Sequence, residues 1–184
     1  MSKYVAIALS LALCACGQAG DPDRHTAGQK LADAFSPAAE AAAAPAQSAQ
    51  AFVDTVAADS AWQIAAARLA EQRSRDADTK AFAAQMAQDH AVVAAELGNA
   101  LRRTHGLAAN SGLTPKQQKA LDDLRSAGDD FNAVYARQEI AASEQELAIL
   151  RGYANDGMDP ALSEFAAGAV NMAADHLRAA RKLS

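Results

Sequence analysis

Lys80-Ala-Phe-Ala-Ala-Gln-Met-Ala-Gln-Asp-His90-Ala-Val-Val-Ala-Ala-Glu-Leu-Gly-Asn-Ala-Leu101 is the stretch on which the fold turns. Its large apolar residues, Phe82, Met86, Val93, Leu97 and Leu101, recur at spacings of three and four. That is the period of one helix face, and His90 stands inside the stripe. Asp76 or Asp78 can cap this helix at its start, and Gly106 stands where a terminating glycine belongs, after an expected end near His105.

The same period extends in both directions. Upstream, Ser48 can cap a helix over about 48–74 that carries Phe52, Val53, Val56, Trp62, Ile64 and Leu69. Downstream, residues 107–113 read as a loop around Asn110-Ser111-Gly112. Thr114-Pro115 restarts a short helix to about Ser126, with proline at the first helical position. Gly128-Asp129 interrupts. A fourth helix over about 129–155 carries Phe131, Val134, Tyr135, Ile140, Leu147, Ile149 and Leu150, and Asn155-Asp156-Gly157 ends it. Asp159-Pro160 opens a fifth, with Leu162, Phe165, Val170, Met172, Leu177 and Leu183. No strand-like alternation competes. Four long helices with short connections predict an all-α fold, an up-down four-helix bundle over 48–184 with one extra short helix.

Composition agrees with this reading. Of 184 residues 51 are alanine and aromatics are only 5%, which favours helix over sheet and thins the core. A formal charge of −5 leaves nothing basic to neutralise phosphates, so no nucleic-acid partner is expected. Both cysteines fall within the first 16 residues, which excludes a disulfide framework or a cysteine-rich zinc module in the body of the chain.

Those cysteines belong to an address. Lys3 is followed by about a dozen apolar residues, short of the roughly 20 that span a bilayer, which fits a signal peptide. Leu13-Cys14-Ala15-Cys16 resembles the lipobox of bacterial lipoproteins, with 1–15 as the signal and Cys16 as the lipidated residue. Residues 16–47 are rich in Ala, Pro, Ser and charge, with few large apolar residues, and read as a disordered tether. The expected location is the periplasm, anchored through the N-terminal lipid. Gly17 rather than Asp after the cysteine favours the outer membrane.

The chemistry-bearing candidates are polar residues on apolar stripes. His90 lies in the second helix, and His176 in the series Phe165, Ala169, Met172, His176, Ala180, Leu183 of the last. Ser143 lies in Ala136, Ile140, Ser143, Leu147, Leu150, and Gln63 follows Phe52 and Val56. Asp89 and Asp175 precede the two histidines. Gln63, Asp89, Ser143 and Asp175 are therefore expected with the histidines in a hydrogen-bonded polar core layer. The alternative is a metal site on His90 and His176, since facing helices of a bundle commonly build such sites. No Glu-x-x-His pair occurs, so the donor set for a paired-metal centre is incomplete, and no cofactor is assigned. His105 suits a helix C-terminus, and Trp62 and Tyr135 suit packing. No nucleophile with a base and no phosphate-cradling glycine loop is legible, so no catalytic residue is named.

Taken in order, several elements resemble the domain of unknown function 4142. They are Phe52-Val53 through Ala57-Ala58, Leu69-Ala70, Lys80-Ala-Phe-Ala, Met86-x-x-Asp-His90, Leu97, Phe131-x-x-x-Tyr135, Asp159-Pro-x-Leu162, Phe165-Ala166 and His176-Leu177, spread over about 51–183. The resemblance implies an exported bacterial protein, often a lipoprotein, with a ferritin-like bundle. The family often has Glu where Gln63 stands and His where Ser143 stands, and usually Leu-Pro shortly before the last His, where Val170-Asn171-Met172 stands here. Two candidate metal ligands are thus replaced. The sequence leads to a lipid-anchored envelope protein acting as a non-enzymatic binding or maintenance module, protein partner unknown. The alternative is a metal-binding or oxidant-handling protein using His90 and His176.

Overall fold

The computed structural model describes residues 48–183; the expected signal and tether, Cys16 included, lie outside the described residues. Among the described residues there are five α-helices, one 3-10 turn and no strand. The helices are α1 Ala49–Arg73, α2 Ala77–Leu101, α3 Pro115–Ser126, α4 Phe131–Asp156 and α5 Pro160–Ala180, with the 3-10 turn Gly128–Asp130 leading into α4.

Helix starts follow from side chains that satisfy otherwise unpaired N–H groups. Ser48 accepts from Ala51 N–H at 3.2 Å and Asp76 from Thr79 N–H at 2.7 Å. Thr114 and Gln117 form a reciprocal capping box ahead of Pro115, and Asp159 accepts from Ala161 and Leu162 N–H at 3.0 Å each. One boundary differs from expectation. Helix α2 ends at Leu101 rather than near His105, because Arg103 and Thr104 donate to the carbonyls three residues back and tighten the last turn. Gly106 still adopts the left-handed conformation, φ 72°, but within the turn beyond the helix.

Helix α1 packs chiefly on α2, and α4 chiefly on α5; α2–α5 and α1–α4 contacts join the two pairs, and α3 lies against α1 and α4. The core divides into two apolar clusters. One takes Phe52, Val53 and Val56 of α1, Val93 and Leu97 of α2, Leu147, Leu150 and Tyr153 of α4, and Leu162 of α5. The other takes Trp62 and Ala66 of α1, Phe82 and Met86 of α2, Leu121 and Leu124 of α3, Phe131 and Tyr135 of α4, and Ala180 of α5. Phe52 stacks on Tyr153 with ring centroids 3.9 Å apart, and Tyr135 stacks with Phe131 at 6.2 Å. Burying one such ring contributes about 1.5–3 kcal/mol.

On each long helix the residues between the two clusters include polar ones. Gln63 of α1, His90 of α2, Glu139, Ser143 and Glu146 of α4 and His176 of α5 are all buried there. Hydrophobic burial holds the two ends of the bundle, and a polar layer is held between them. Among the described residues no helix is long and apolar enough to cross a membrane.

Candidate metal centre

His90 sits between Met86 and Val93 on the inner stripe of α2 and is fully buried. His176, 4% exposed, occupies the matching position of α5, between Ala173 and Ala180. The α2–α5 contact brings the two rings together, with centroids 5.4 Å apart and planes tilted by 37°. Glu146 of α4 completes the group, its Oε2 3.9 Å from His90 Nε2. One ligand atom from each of His90, Glu146 and His176 lies within 4.8 Å of the other two.

The hydrogen bonds favour that use. His176 Nε2 and Asp89 Oδ2 are 2.9 Å apart, and Gln85 Nε2 donates to the other Asp89 oxygen at 2.7 Å. An imidazole that donates Nε2–H to a carboxylate keeps its lone pair on Nδ1, and His176 Nδ1 is buried with no hydrogen-bond partner. Both nitrogens of His90 and Oε2 of Glu146 are likewise buried and unbonded. Native cores leave few buried polar atoms unpaired, because each costs about 1–3 kcal/mol. One nitrogen of a neutral His90 ring carries an N–H, but one lone pair from each of the three residues calls for a ligand that accepts lone pairs. A divalent cation does that.

Electrostatics prepare the ligands unequally. Burial, with help from the nearby His176, pushes His90 down to about 3, against a smaller opposing pull from Asp89. It is therefore a neutral imidazole, as coordination needs. Burial, reinforced by Asp59, pushes Glu146 up to about 8. A bound cation would offset that cost by favouring the carboxylate. For Asp89, burial acts upward but is outweighed by hydrogen bonds from Gln85 and His176, and the carboxylate is held below its usual range.

A second polar group lies beside the first. Glu139 is completely buried, and the Gln63 amide, with its nitrogen toward the acid, donates to both carboxyl oxygens at 2.8 and 3.2 Å. Burial, and after it the charges of Asp59 and Glu146, raise the Glu139 pKa well above the ordinary value. Burial and the Glu139 charge push the Tyr135 phenol up as well. Asp59, one turn before Gln63, is partly buried and raised by burial to about 7.

The structure thus sorts the sequence candidates. His90 and His176 come together, with Asp89 behind His176. Gln63 turns instead to Glu139. Ser143 is fully buried, but its hydroxyl makes no hydrogen bond. Asp175 does not join the polar layer: it is exposed and pairs with Arg178 on the surface, because the residue before an inward-facing one is rotated about 100° away. His105 is exposed.

Three acids, Asp59, Glu139 and Glu146, were not singled out in the sequence. Their signal was present. Tyr135, Glu139, Ser143, Glu146 and Leu150 form a spacing of four, four, three and four, so the two glutamates share the buried face of Ser143. Of the expected stripe Ala136, Ile140, Ser143, Leu147 and Leu150, only Ile140 departs: it is half-buried and Glu139 takes the inner position beside it.

The donor set suits some metals better than others. Two imidazoles and one carboxylate are a nitrogen-rich group that fits zinc or a divalent iron, cobalt, nickel or copper ion rather than magnesium or calcium. A family model described as Domain of unknown function (DUF4142) matches residues 34–183. No curated protein and no solved structure matches the chain.

Proposed function

The chain belongs to the DUF4142 family, and we propose that this member is a metal-binding helical-bundle protein of the bacterial envelope. His90, Glu146 and His176 would hold one divalent transition-metal ion, and Asp89 would orient His176. The observations that carry the reading are that His90, Glu146 and His176 each bring a ligand atom within 4.8 Å of the others, and that both His90 nitrogens, Glu146 Oε2 and His176 Nδ1 are buried and unbonded. Gln63 and Glu139 spend their polar atoms on one another, whereas these stay unbonded although His90 and Glu146 are within 3.9 Å.

The metal would supply a Lewis-acidic charge in a site with little water. The protein's own contribution is to keep His90 neutral, hold His176 by Asp89, and keep solvent from the ligands. No side chain at the centre is placed to act as a nucleophile with its own base, so the proposal is binding rather than turnover. Attachment to a membrane through Cys16, with the domain on a tether in the periplasm, is supported by the sequence of 1–47 and belongs to the same proposal. The outer membrane is the favoured site of attachment.

The test is linkage. The metal-free protein is titrated with zinc, cobalt(II), iron(II), manganese and copper while its melting temperature is followed. At a hundredfold excess over Kd a bound ion adds about 2.7 kcal/mol, a rise on the order of 10 °C for a domain of this size. His90→Ala should abolish the rise. No shift with any of these ions ends the proposal.

A further inference from the structure

A centre sealed between apolar clusters must still be reached. A hydrated divalent cation does not cross packed leucine and phenylalanine, and it sheds water only where oxygen ligands replace that water. Two cavities mark such a path on the α1–α4 side. The outer, about 370 Å³, lies between α1, the 107–114 segment with α3, and α4. The loop wall is fixed to α1: Gln50 donates to the Ala108 carbonyl at 2.7 Å, and Asn110 N–H donates to Asp54 at 3.1 Å. The inner cavity, about 20 Å³, is the one that reaches Glu146, and the two share Thr55, Asp59, Gln117 and Gln145 as lining.

The carboxylates along this path are few and ordered. Asp54 is occupied by the loop and by Gln50. Asp59 is the acid that lines both cavities, and no described residue forms a hydrogen bond or ion pair with it. Glu146 lines the inner cavity and belongs to the metal group; it is 7% exposed and its Oε2 is unbonded. The cavity on the opposite face, between α2 and α5, touches neither Asp89, His90 nor His176.

We propose that Asp59 is the intake carboxylate of the centre: a divalent cation enters the outer cavity, exchanges water for Asp59, and passes from Asp59 to Glu146 and then to the two histidines. The inference rests on the metal reading above. Each step exchanges one oxygen or nitrogen ligand for another, and no bond within the protein changes. Lys116, exposed on the rim of the outer cavity, opposes the arriving charge.

Stopped-flow uptake of cobalt(II), read by its absorption on binding to the metal-free full-length protein, tests the route. Asp59→Asn should slow uptake and release together by at least ~10-fold, the size of effect a focusing carboxylate has on cation arrival, and change both rates by more than it changes the equilibrium Kd, into which Asp59 enters only through its charge beside Glu146. Asp59→Glu should restore uptake, which separates the charge from any loss of packing. Lys116→Glu should speed uptake at low salt. If the wild type binds cobalt and Asp59→Asn loads as fast, the route is wrong and the centre stands. The route also fails if Asp89→Asn slows uptake and Asp59→Asn does not, since the ion then arrives from the α2–α5 side. If the wild type binds no cobalt, the centre falls and takes the route with it.

Discussion

Glu139 and Glu146 lie two turns apart on one face of α4, both buried, both pushed toward the neutral acid, and they stand in opposite relations to their surroundings. Glu139 faces an amide that donates to both its oxygens. Glu146 faces His90, a ring with two unbonded nitrogens, and keeps an unbonded oxygen of its own. Burial is common to the two acids, so burial does not make a site. What separates them is whether the protein completes the hydrogen bonding by itself. Gln63 completes it for Glu139; around His90, Glu146 and His176 four polar atoms stay unbonded, and the proposed ion would answer for three of them.

The widest gap between the two acids should appear in metal affinity. Glu146→Gln removes one of three ligands while keeping shape and polarity, and is expected to weaken binding by at least ~100-fold, about 2.7 kcal/mol. Glu139→Gln should leave the Kd within a factor of about 3, or ~0.6 kcal/mol. Isothermal titration of both variants with zinc decides it. Equal losses would mean that the two acids act as one cluster and that the division drawn between them is false.

The next effect concerns the residue behind the ligand. Asp89 is partly exposed, with 22% of its side chain reaching solvent, yet it fixes the tautomer of a buried ring. Partners of this kind are worth about 10–100-fold in metal affinity. Asp89→Asn should fall in that range, with little change in the melting temperature of the metal-free protein. A loss below about twofold would show that His176 is oriented by packing against Ala173 and Ala180 rather than by its hydrogen bond.

Four of the five helix starts were legible because they rest on local chemistry: Ser48, Asp76, Thr114-Pro115 and Asp159-Pro160 cap what the apolar period fills, while α4 starts from the 3-10 turn without a side-chain cap. The histidines were legible because they interrupt an otherwise apolar stripe. The acids were not, for an energetic reason. A stripe is drawn by preferring apolar residues for the inside, and at 139–140 that preference selects isoleucine over glutamate. The structure makes the other choice, since Gln63 on α1 offers Glu139 a partner that no local pattern on α4 can reveal. Asp89 and Asp175 make the same point. Both precede an inward histidine, but Asp89 turns to a ring across the helix interface and Asp175 to Arg178 on its own surface. Cross-helix partners decide such cases, and they are a property of packing.

The smallest expected effect is a tilt in a pH profile, and it tests the closed half of the layer directly. In the metal-free protein Asp59 is raised to about 7 and Glu146 to about 8, with Glu139 raised well above its ordinary value, burial being the first cause for each. The folded protein then keeps protons that the unfolded chain releases above roughly pH 4.5. The stability these groups contribute is present at low pH and is lost as pH rises through their folded values. His90 acts the other way: held neutral down to about 3, it contributes stability above the unfolded imidazole value near 6.5 that is lost as pH falls toward 3. Between about pH 6.5 and 8 only the carboxyl slope remains, up to about 1.4 kcal/mol per pH unit for each retained proton. The melting temperature without metal should therefore fall across that window. Glu139→Gln removes one carboxyl whose folded pKa is raised and keeps an amide opposite Gln63, so its fall should be shallower than that of the wild type. A profile parallel to the wild type would mean that Glu139 is ionised inside the bundle, with Gln63 donating to a buried charge. The closed half would then be a second site for a cation rather than the self-sufficient partner of the first.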